Sequence, residues 1–252
     1  DDSPITVPDN PQPPKNVPDI ALHDSREILR AVEGKLTDAQ IIELRTGYLA
    51  GISYLDAQIG KVLAELDRLG LRENTIIVFW SDHGFHLGEH GLWCKTSNFE
   101  NDARVPLLIA TPHMQQAGKT SDALVELLDM YPTLVELCGL PSPGKLEGKS
   151  LVPVLKDPTQ SVKPAAYTQH PRPAYYKKQP ENMGVSVRTP RYRYTEWRNF
   201  NTGKVIAREL YDHTSDPAEN TNIIEHPSDQ AEFKKAVQLL EAQFPRKPGG
   251  KD

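Results

Sequence analysis

The 252-residue chain sets 29 Lys and Arg against 34 Asp and Glu, a formal charge of −5, and is 38% hydrophobic and 25% charged. Those proportions exclude a disordered or fibrous chain, and the charge balance excludes a nucleic-acid binder that relies on net positive charge. Two cysteines, Cys94 and Cys138, are too few for a disulfide framework and read as free thiols. No apolar run approaches the roughly 18 residues that cross a bilayer, so neither nucleic acid nor membrane is expected as a partner.

Six of the 22 prolines, Pro4, Pro8, Pro11, Pro13, Pro14 and Pro18, fall within the first twenty residues. Proline lacks the amide hydrogen that helices and sheets use, so 1–20 is expected to be an extended arm. The chain opens as if in the middle of a longer protein. Thr37 followed by Gln40 has the form of a capping box. Beyond it Ile41, Leu44, Tyr48, Ile52, Leu55, Ile59, Val62 and Leu66 recur every three or four residues, which predicts one long helix ending at Gly70. Gly47, Gly51 and Gly60 weaken that helix on its own, and close packing is expected at them.

Thr75–Trp80 is β-branched and aromatic without polar alternation, the pattern of a strand buried on both faces. Val105–Ala110 is a second such run, which Pro106 pushes towards a strand start or sheet edge. The two are expected to lie parallel in one helix-covered sheet. Asp129 and Pro132 then open a short helix that Gly139 closes. Helix, strand, loop, strand, helix is α/β grammar, assigned to 21–160. From 161 to 252 the segments shorten: Ala165–Gln169, Val185–Thr189, Tyr192–Trp197 and Arg208–Asp212 predict a small antiparallel sheet. A terminal helix, about Ser228–Phe244, is expected to cover it with Phe233, Val237, Leu240 and Phe244 inward. Within this part, 170–198 holds Arg172, Lys177, Lys178, Arg188, Arg191, Arg193 and Arg198 against only Glu181 and Glu196. That patch either steers an anionic ligand or is a solvated hairpin face.

The densest chemistry is SDHGFHLGEHGLWCK, residues 81–95. Asp82 and His83 directly follow a strand, and open α/β sheets bind ligands at the carboxyl ends of their strands. His86, Glu89 and His90 fit H-x-x-E-H, a zinc pattern whose ligands share one helical face. Gly84, Gly88 and Gly91 make a helix there costly, about 1 kcal/mol each, so a zinc site is not expected. The other metal reading gives Asp82 and His83 to a site completed elsewhere, because a hard cation such as calcium takes several oxygens. Lys95 is either a surface lysine or a fixed ammonium able to clamp a tetrahedral oxyanion. Trp93 and Phe99 beside it favour a packed loop.

These residues resemble a known family. Ser81-Asp-His-Gly84, Leu87-Gly-Glu-His-Gly91, Lys95 and Arg104-Val-Pro-Leu107 are similar to the sulfatase family of the alkaline-phosphatase superfold. Met130-Tyr-Pro-Thr-Leu134, Gly148-Lys-Ser-Leu-Val-Pro153 and the run from Glu209-Leu-Tyr-Asp212 to Asn220 agree with it. Tyr48–Gln58, Trp93–Phe99, Tyr167–Pro173, Met183–Thr189 and Tyr192–Thr195 are most similar to the branch acting on 2-O-sulfated uronic acids. The match spans roughly 40–225.

The resemblance implies the C-terminal part of a helix-covered, mostly parallel α/β sheet, joined by the small antiparallel sheet and its terminal helix. It implies a calcium-dependent sulfatase that hydrolyses sulfate esters of glycosaminoglycans, 2-O-sulfate on uronic acid above all. In such enzymes a cysteine in C-x-P-S-R becomes formylglycine, whose hydrate attacks sulfur, and aspartates from two parts of the chain hold Ca2+. Asp82 and His83 match the late half of the metal site, Lys95 matches the catalytic lysine that grips sulfate, and Phe85 matches a substrate contact. Arg172 and Arg188 are the candidates for the sugar's carboxylate.

The departures are as specific. Cys94 precedes Lys-Thr-Ser, and in Cys138-Gly-Leu-Pro-Ser142 the proline comes one place late, so neither is the nucleophile. Thr96 stands where the close relatives carry an aromatic residue. The expected partners are therefore an N-terminal half, holding the formylglycine and the remaining calcium ligands, and a sulfated saccharide, in a periplasmic, secreted or lysosomal setting. The alternatives are another alkyl or aryl sulfatase, a phosphoester hydrolase of the superfold, or a non-catalytic carbohydrate-binding remnant. A C-x-P-S-R upstream of residue 1 would decide for the enzyme.

Overall fold

The computed structural model describes residues 4–29, 35–142 and 144–246. The α/β chain forms two compact units, one from 1–13, 24–95 and 104–114, the other from 14–23, 96–103 and 115–252. Among the described residues no helix is long and apolar enough to cross a membrane.

The first unit holds α1 (Arg26–Leu29), α2 (Asp38–Arg68) and two two-stranded sheets, β1 (Ile77–Trp80) with β4 (Leu107–Ala110) and β2 (His86–Leu87) with β3 (Trp93–Cys94). α2 starts where its cap requires. The Thr37 amide donates to Gln40 Oε1 at 2.9 Å, and the Gln40 amide donates to Thr37 Oγ1 at 3.4 Å. Two residues past its end, Gly70 takes φ +66°, which a side chain would resist. The apolar stripe of α2 is continuous but uncovered: Tyr48, Ile52, Leu55 and Val62 are 38–70% exposed. The packing expected at Gly47, Gly51 and Gly60 is not found, since no described atom comes within 4 Å of a Cβ built at any of them.

β1 and β4 correct a second expectation. They pair antiparallel, Ile77 opposite Ala110 and Trp80 opposite Leu107. A parallel pair needs a crossover, usually a helix of a dozen residues or more. The chain between these strands has only the β2–β3 ladder and one-turn helices, the last of them α3 (Glu100–Ala103). Nor are the strands buried on both faces, for Phe79, Trp80 and Leu108 are 39%, 44% and 59% exposed. Asp82 and His83 do follow the carboxyl end of β1.

The second unit contains α3, α4 (Met130–Leu137) and α5 (Val152–Lys156). Its centre is a four-stranded antiparallel sheet in the order β5 (Ala166–Arg172), β6 (Asn182–Arg188), β7 (Tyr192–Asn199), β8 (Val205–Asp212). Period-two alternation sorts the side chains. Val185, Val187, Tyr192, Tyr194 and Leu210 meet Ala236 and Leu240 of α6 (Gln230–Gln243), with Phe233, Val237 and Phe244 packed around them. Asp229 caps α6 by accepting from the Ala231 and Glu232 amides.

The other face is also buried but polar, carrying Ser186, Arg193, Thr195, Glu209 and Tyr211 together with Trp197. Gly184 sits mid-strand because a Cβ there would lie 2.7 Å from both the Trp197 ring and Asn98. Leu240→Ala should destabilise this unit by about 2–5 kcal/mol, the usual cost of a cavity at a fully buried leucine, read by urea denaturation. A loss below about 1 kcal/mol would mean that α6 does not hold the sheet.

Candidate functional site

In the first unit, the turn after β1 is held by its own polar groups. Ser81 Oγ donates to the His83 carbonyl at 2.7 Å, and the His83 amide donates to Asp82 Oδ1 at 3.1 Å. His83 Nδ1 lies 2.7 Å from the Gly84 carbonyl oxygen. A carbonyl only accepts, so Nδ1 carries a hydrogen, and in the neutral ring the lone pair is then on Nε2, as in histidines that bind metals. That Nε2 is 3.9 Å from Asp82 Oδ1, and the two side chains are 40% and 76% exposed. The pair therefore presents one nitrogen and one carboxylate to solvent.

Such a pair fits a share of a calcium site and not a whole one, since calcium takes about six to eight oxygens. Among the described residues, neither Asp82 nor His83 belongs to a group of three potential ligands. The H-x-x-E-H residues are spread over strand β2 and a single 3-10 turn, Glu89–Gly91, instead of one helical face. Glu89 is already engaged, accepting from Arg45 Nη1 at 3.0 Å and from the Leu87 amide at 2.6 Å.

Lys95 belongs to the same unit and places Nζ 2.7 Å from Glu27 Oε2. It sits between two residues with positive φ, Cys94 at +68° and Thr96 at +102°. Phe85 stacks on Tyr48 of α2, ring centroids 5.1 Å apart and planes 28° apart. The sequence signalled Lys95 and Phe85 but not their partners, which lie far away along the chain.

In the second unit the basic segment is mostly consumed by internal pairing. Arg172, expected to meet a sugar carboxylate, is buried. Its Nε donates to the Ile20 carbonyl at 2.9 Å, Nη1 to those of Thr96 and Pro171 at 2.9 and 3.0 Å, and Nη2 to that of Ala21 at 2.8 Å. Its guanidinium also lies 4.8 Å over the Trp197 ring. Four of its five N–H groups are thus spent on backbone carbonyls and the side chain is buried, which favours a structural role over contact with a sugar. Arg188 donates to the Thr189 carbonyl, and its Nε lies 3.5 Å from Glu100 Oε2, which engages it internally as well.

Arg193 joins Glu219 at 2.7 Å and also Glu100. Glu219 further accepts from His213 Nε2 at 2.8 Å and from the Glu100 amide at 2.7 Å. Burial alone would raise the Glu219 carboxyl, but Arg193 and His213 outweigh it and hold it down at about 2. Arg191 pairs with Asp212 and Asp229, and Arg198 with Glu196.

Sequence reasoning missed Glu209. It is buried on β8, accepting from Trp197 Nε1 at 2.7 Å and from the Tyr211 hydroxyl at 2.8 Å. Burial pushes its carboxyl up to about 7, against the pull of those two donors. The one available signal was Glu209-Leu-Tyr alternating toward the face opposite α6.

The Sulfatase profile matches residues 7–140, and a second one, N-sulphoglucosamine sulphohydrolase, C-terminal, matches 88–244. The chain belongs to the sulfatase family. It is similar to iduronate 2-sulfatase of Mus musculus, 33% identical over 289 residues that cover 87% of this chain and 52% of that protein. A solved structure of a 2-O GAG sulfatase matches with a TM-score of 0.80 at 26% identity, covering 96% of this chain and 52% of the other. Another, in complex with its substrate D-glucosamine-2-N,6-O-disulfate, matches with a TM-score of 0.73 at 31% identity, covering 86% and 44%. The chain spans about half the length of the iduronate 2-sulfatases it matches.

Glu209 makes stability depend on pH in a defined direction. Its pKa in the fold, about 7, lies above the ordinary 4.5, so between those values the native state holds a proton that the unfolded chain releases. Its contribution is full below pH 4.5 and is lost as pH rises through 7, with a slope of up to about 1.4 kcal/mol per unit. Glu209→Gln mimics the neutral acid. The variant should match the wild type near pH 5 and exceed it in stability near pH 7.5, as read by thermal melts. Equal stability at both would place the wild-type carboxylate in its charged form throughout.

Proposed function

We propose that this chain is the C-terminal part of a sulfatase domain that hydrolyses sulfate esters of glycosaminoglycans, with 2-O-sulfate on uronic acid as the preferred target. The observation that carries this reading is the turn after β1, where the Gly84 carbonyl fixes the His83 tautomer and leaves Nε2 beside the exposed Asp82 carboxylate. The family resemblance assigns a metal and a sulfate oxygen to that place.

Each residue then has a defined task. Asp82 and His83 Nε2 would be two ligands of a calcium ion, the remaining ligands coming from residues outside this chain. When bound, that ion supplies positive charge against a sulfate oxygen. Lys95 exchanges its half-exposed pair with Glu27 for a sulfate oxygen and stabilises the charge that grows there as the S–O bond breaks. Phe85 lies at the rim of the same turn, stacked on α2, and would border the sugar. Neither Cys94 nor Cys138 lies in C-x-P-S-R, so the formylglycine is assigned to a preceding N-terminal half. The uncovered apolar surface of α2, β1 and β4 is where that half would pack. The setting is periplasmic, secreted or lysosomal.

The Lys95–Glu27 pair favours a second reading, a non-catalytic saccharide-binding remnant whose lysine is neutralised for good. The two separate in the protein that carries this chain together with its nucleophile. There Lys95→Ala should lower turnover of a 2-O-sulfated uronate disaccharide about a hundredfold, or about 3 kcal/mol in the transition state. Glu27→Gln should leave turnover intact or raise it. The 252-residue chain by itself should show no turnover and only weak calcium binding. Near-normal turnover in Lys95→Ala would make Lys95 a surface residue, and no turnover in the nucleophile-bearing wild type would decide for the remnant.

A further inference from the structure

In the first unit Lys95 stands at the end of a very short ladder. β3 pairs with β2 at only two positions, His86 opposite Cys94 and Leu87 opposite Trp93, and Lys95 follows β3 directly. A two-stranded ribbon of that size is marginal by itself in water. Its inner side is closed at the turn, where the Gly88 amide donates to the Leu92 carbonyl at 2.9 Å. Neighbouring residues of a strand turn their backbone groups to opposite edges. Those of Leu87 therefore point away from β3, to the edge where a third strand would lie.

Among the described residues no third strand pairs with β2, and two side chains take its place. Arg45 Nη1, from α2, donates to the Leu87 carbonyl at 3.0 Å, and the Leu87 amide donates to Glu89 Oε2 at 2.6 Å. The circuit closes where the same Nη1 donates to Glu89 Oε1 at 3.0 Å. Guanidinium and carboxylate thus offer Leu87 the donor and the acceptor that a neighbouring strand would. Three residues along the same face of α2, Tyr48 stacks on Phe85, which directly precedes β2, so α2 grips the ribbon at two points. An ion pair this near the surface, with side chains 21% and 24% exposed, adds little stability of its own. What sets it apart is that both partners also hold the backbone leading to Lys95.

We propose that Arg45 and Glu89 are positioning residues for Lys95, a side-chain brace that stands in for a third strand on β2 and, through the β2–β3 ladder, fixes where the Lys95 ammonium is presented. A cation meant for a growing charge has to be held in place before the reaction, because small displacements are costly. The proposal rests on the sulfatase reading for the task of Lys95. It goes beyond that reading in giving α2 a part in catalysis through two residues that act only by way of the ribbon.

The test uses the protein that carries this chain together with its nucleophile, assayed on a 2-O-sulfated uronate disaccharide. Arg45→Ala should lower kcat roughly tenfold and leave KM within about twofold, the split expected when a transition-state contact is misplaced. Glu89→Ala should do the same, and the two changes together should be hardly slower than either one, since they break a single circuit. Arg45→Lys, whose ammonium can still donate to the carbonyl and the carboxylate, should recover much of the loss. In a Lys95→Ala background Arg45→Ala should cost less than about twofold, which a general loosening of the fold would not produce. Hydrogen exchange over 86–95 should quicken in Arg45→Ala while α2 exchanges as in the wild type. A normal kcat in Arg45→Ala, an undiminished loss in the Lys95→Ala background, or unchanged exchange over 86–95 would overturn the proposal and leave the sulfatase reading standing. No hydrolysis of any sulfate ester by the wild type would remove that reading, and this one with it.

Discussion

A sheet buried on both faces must satisfy every charge it carries, and this requirement governs the second unit. Its α6 side is apolar and is settled by packing. Its other side buries Arg193 with Glu219 and Glu209 beneath residues 96–103, where Phe99 meets Tyr211 with ring centroids 5.8 Å apart. Taking an ion out of water costs several kcal/mol, and removing one partner of a buried pair typically costs about 3–5 kcal/mol more. The arrangement answers with shared partners. Glu219 alone serves Arg193, His213 and the Glu100 amide. Glu209, with neutral hydrogen-bond donors in place of a salt bridge, is the member that yields by holding a proton.

The same requirement separates arginine from lysine along the basic segment. Guanidinium groups, planar and weakly hydrated, can be buried against carbonyls and carboxylates in a fixed fork. Arg172 does so across three stretches of chain, reaching Ile20 and Ala21, Thr96, and its neighbour Pro171. A strongly hydrated ammonium is better left in water, and Lys177 and Lys178 are left there. A count of charges over 170–198 treats the two residue types alike, which is why it offered only a steering patch or a solvated hairpin face where the structure has an internal scaffold with a lysine-bearing tip.

What was legible in the sequence follows the range of the interactions. The Thr37–Gln40 cap, the extent of α2, the four alternating strands and the inward face of α6 are written in neighbours a few residues apart. The direction of the β1–β4 pair is not. Apolar composition speaks of burial, whereas direction depends on the connection, and here the connection lacks a crossover helix. The turn after β1 was legible as chemistry because Asp82, His83 and Gly84 are consecutive. The partners of Lys95 and Phe85 were not, since Glu27 and Tyr48 stand 68 and 37 positions away, at 95 − 27 and 85 − 48. The packing expected at Gly47, Gly51 and Gly60 inferred a neighbour from small residues, and no described residue supplies one.

The backbone around Lys95 has a consequence of its own. Cys94 and Thr96 both occupy the left-handed half of conformational space, and for a β-branched residue such as Thr96 this is a costly place. The lysine is thus set on a sprung segment, its ammonium aimed by torsions that the chain would relax if it could. Glycine at 94 or 96 would ease the backbone and at the same time release the aim. Selection for thermal robustness alone would drift towards such exchanges, while selection for a well-aimed cation would resist them, so these two positions should record which pressure the protein has lived under.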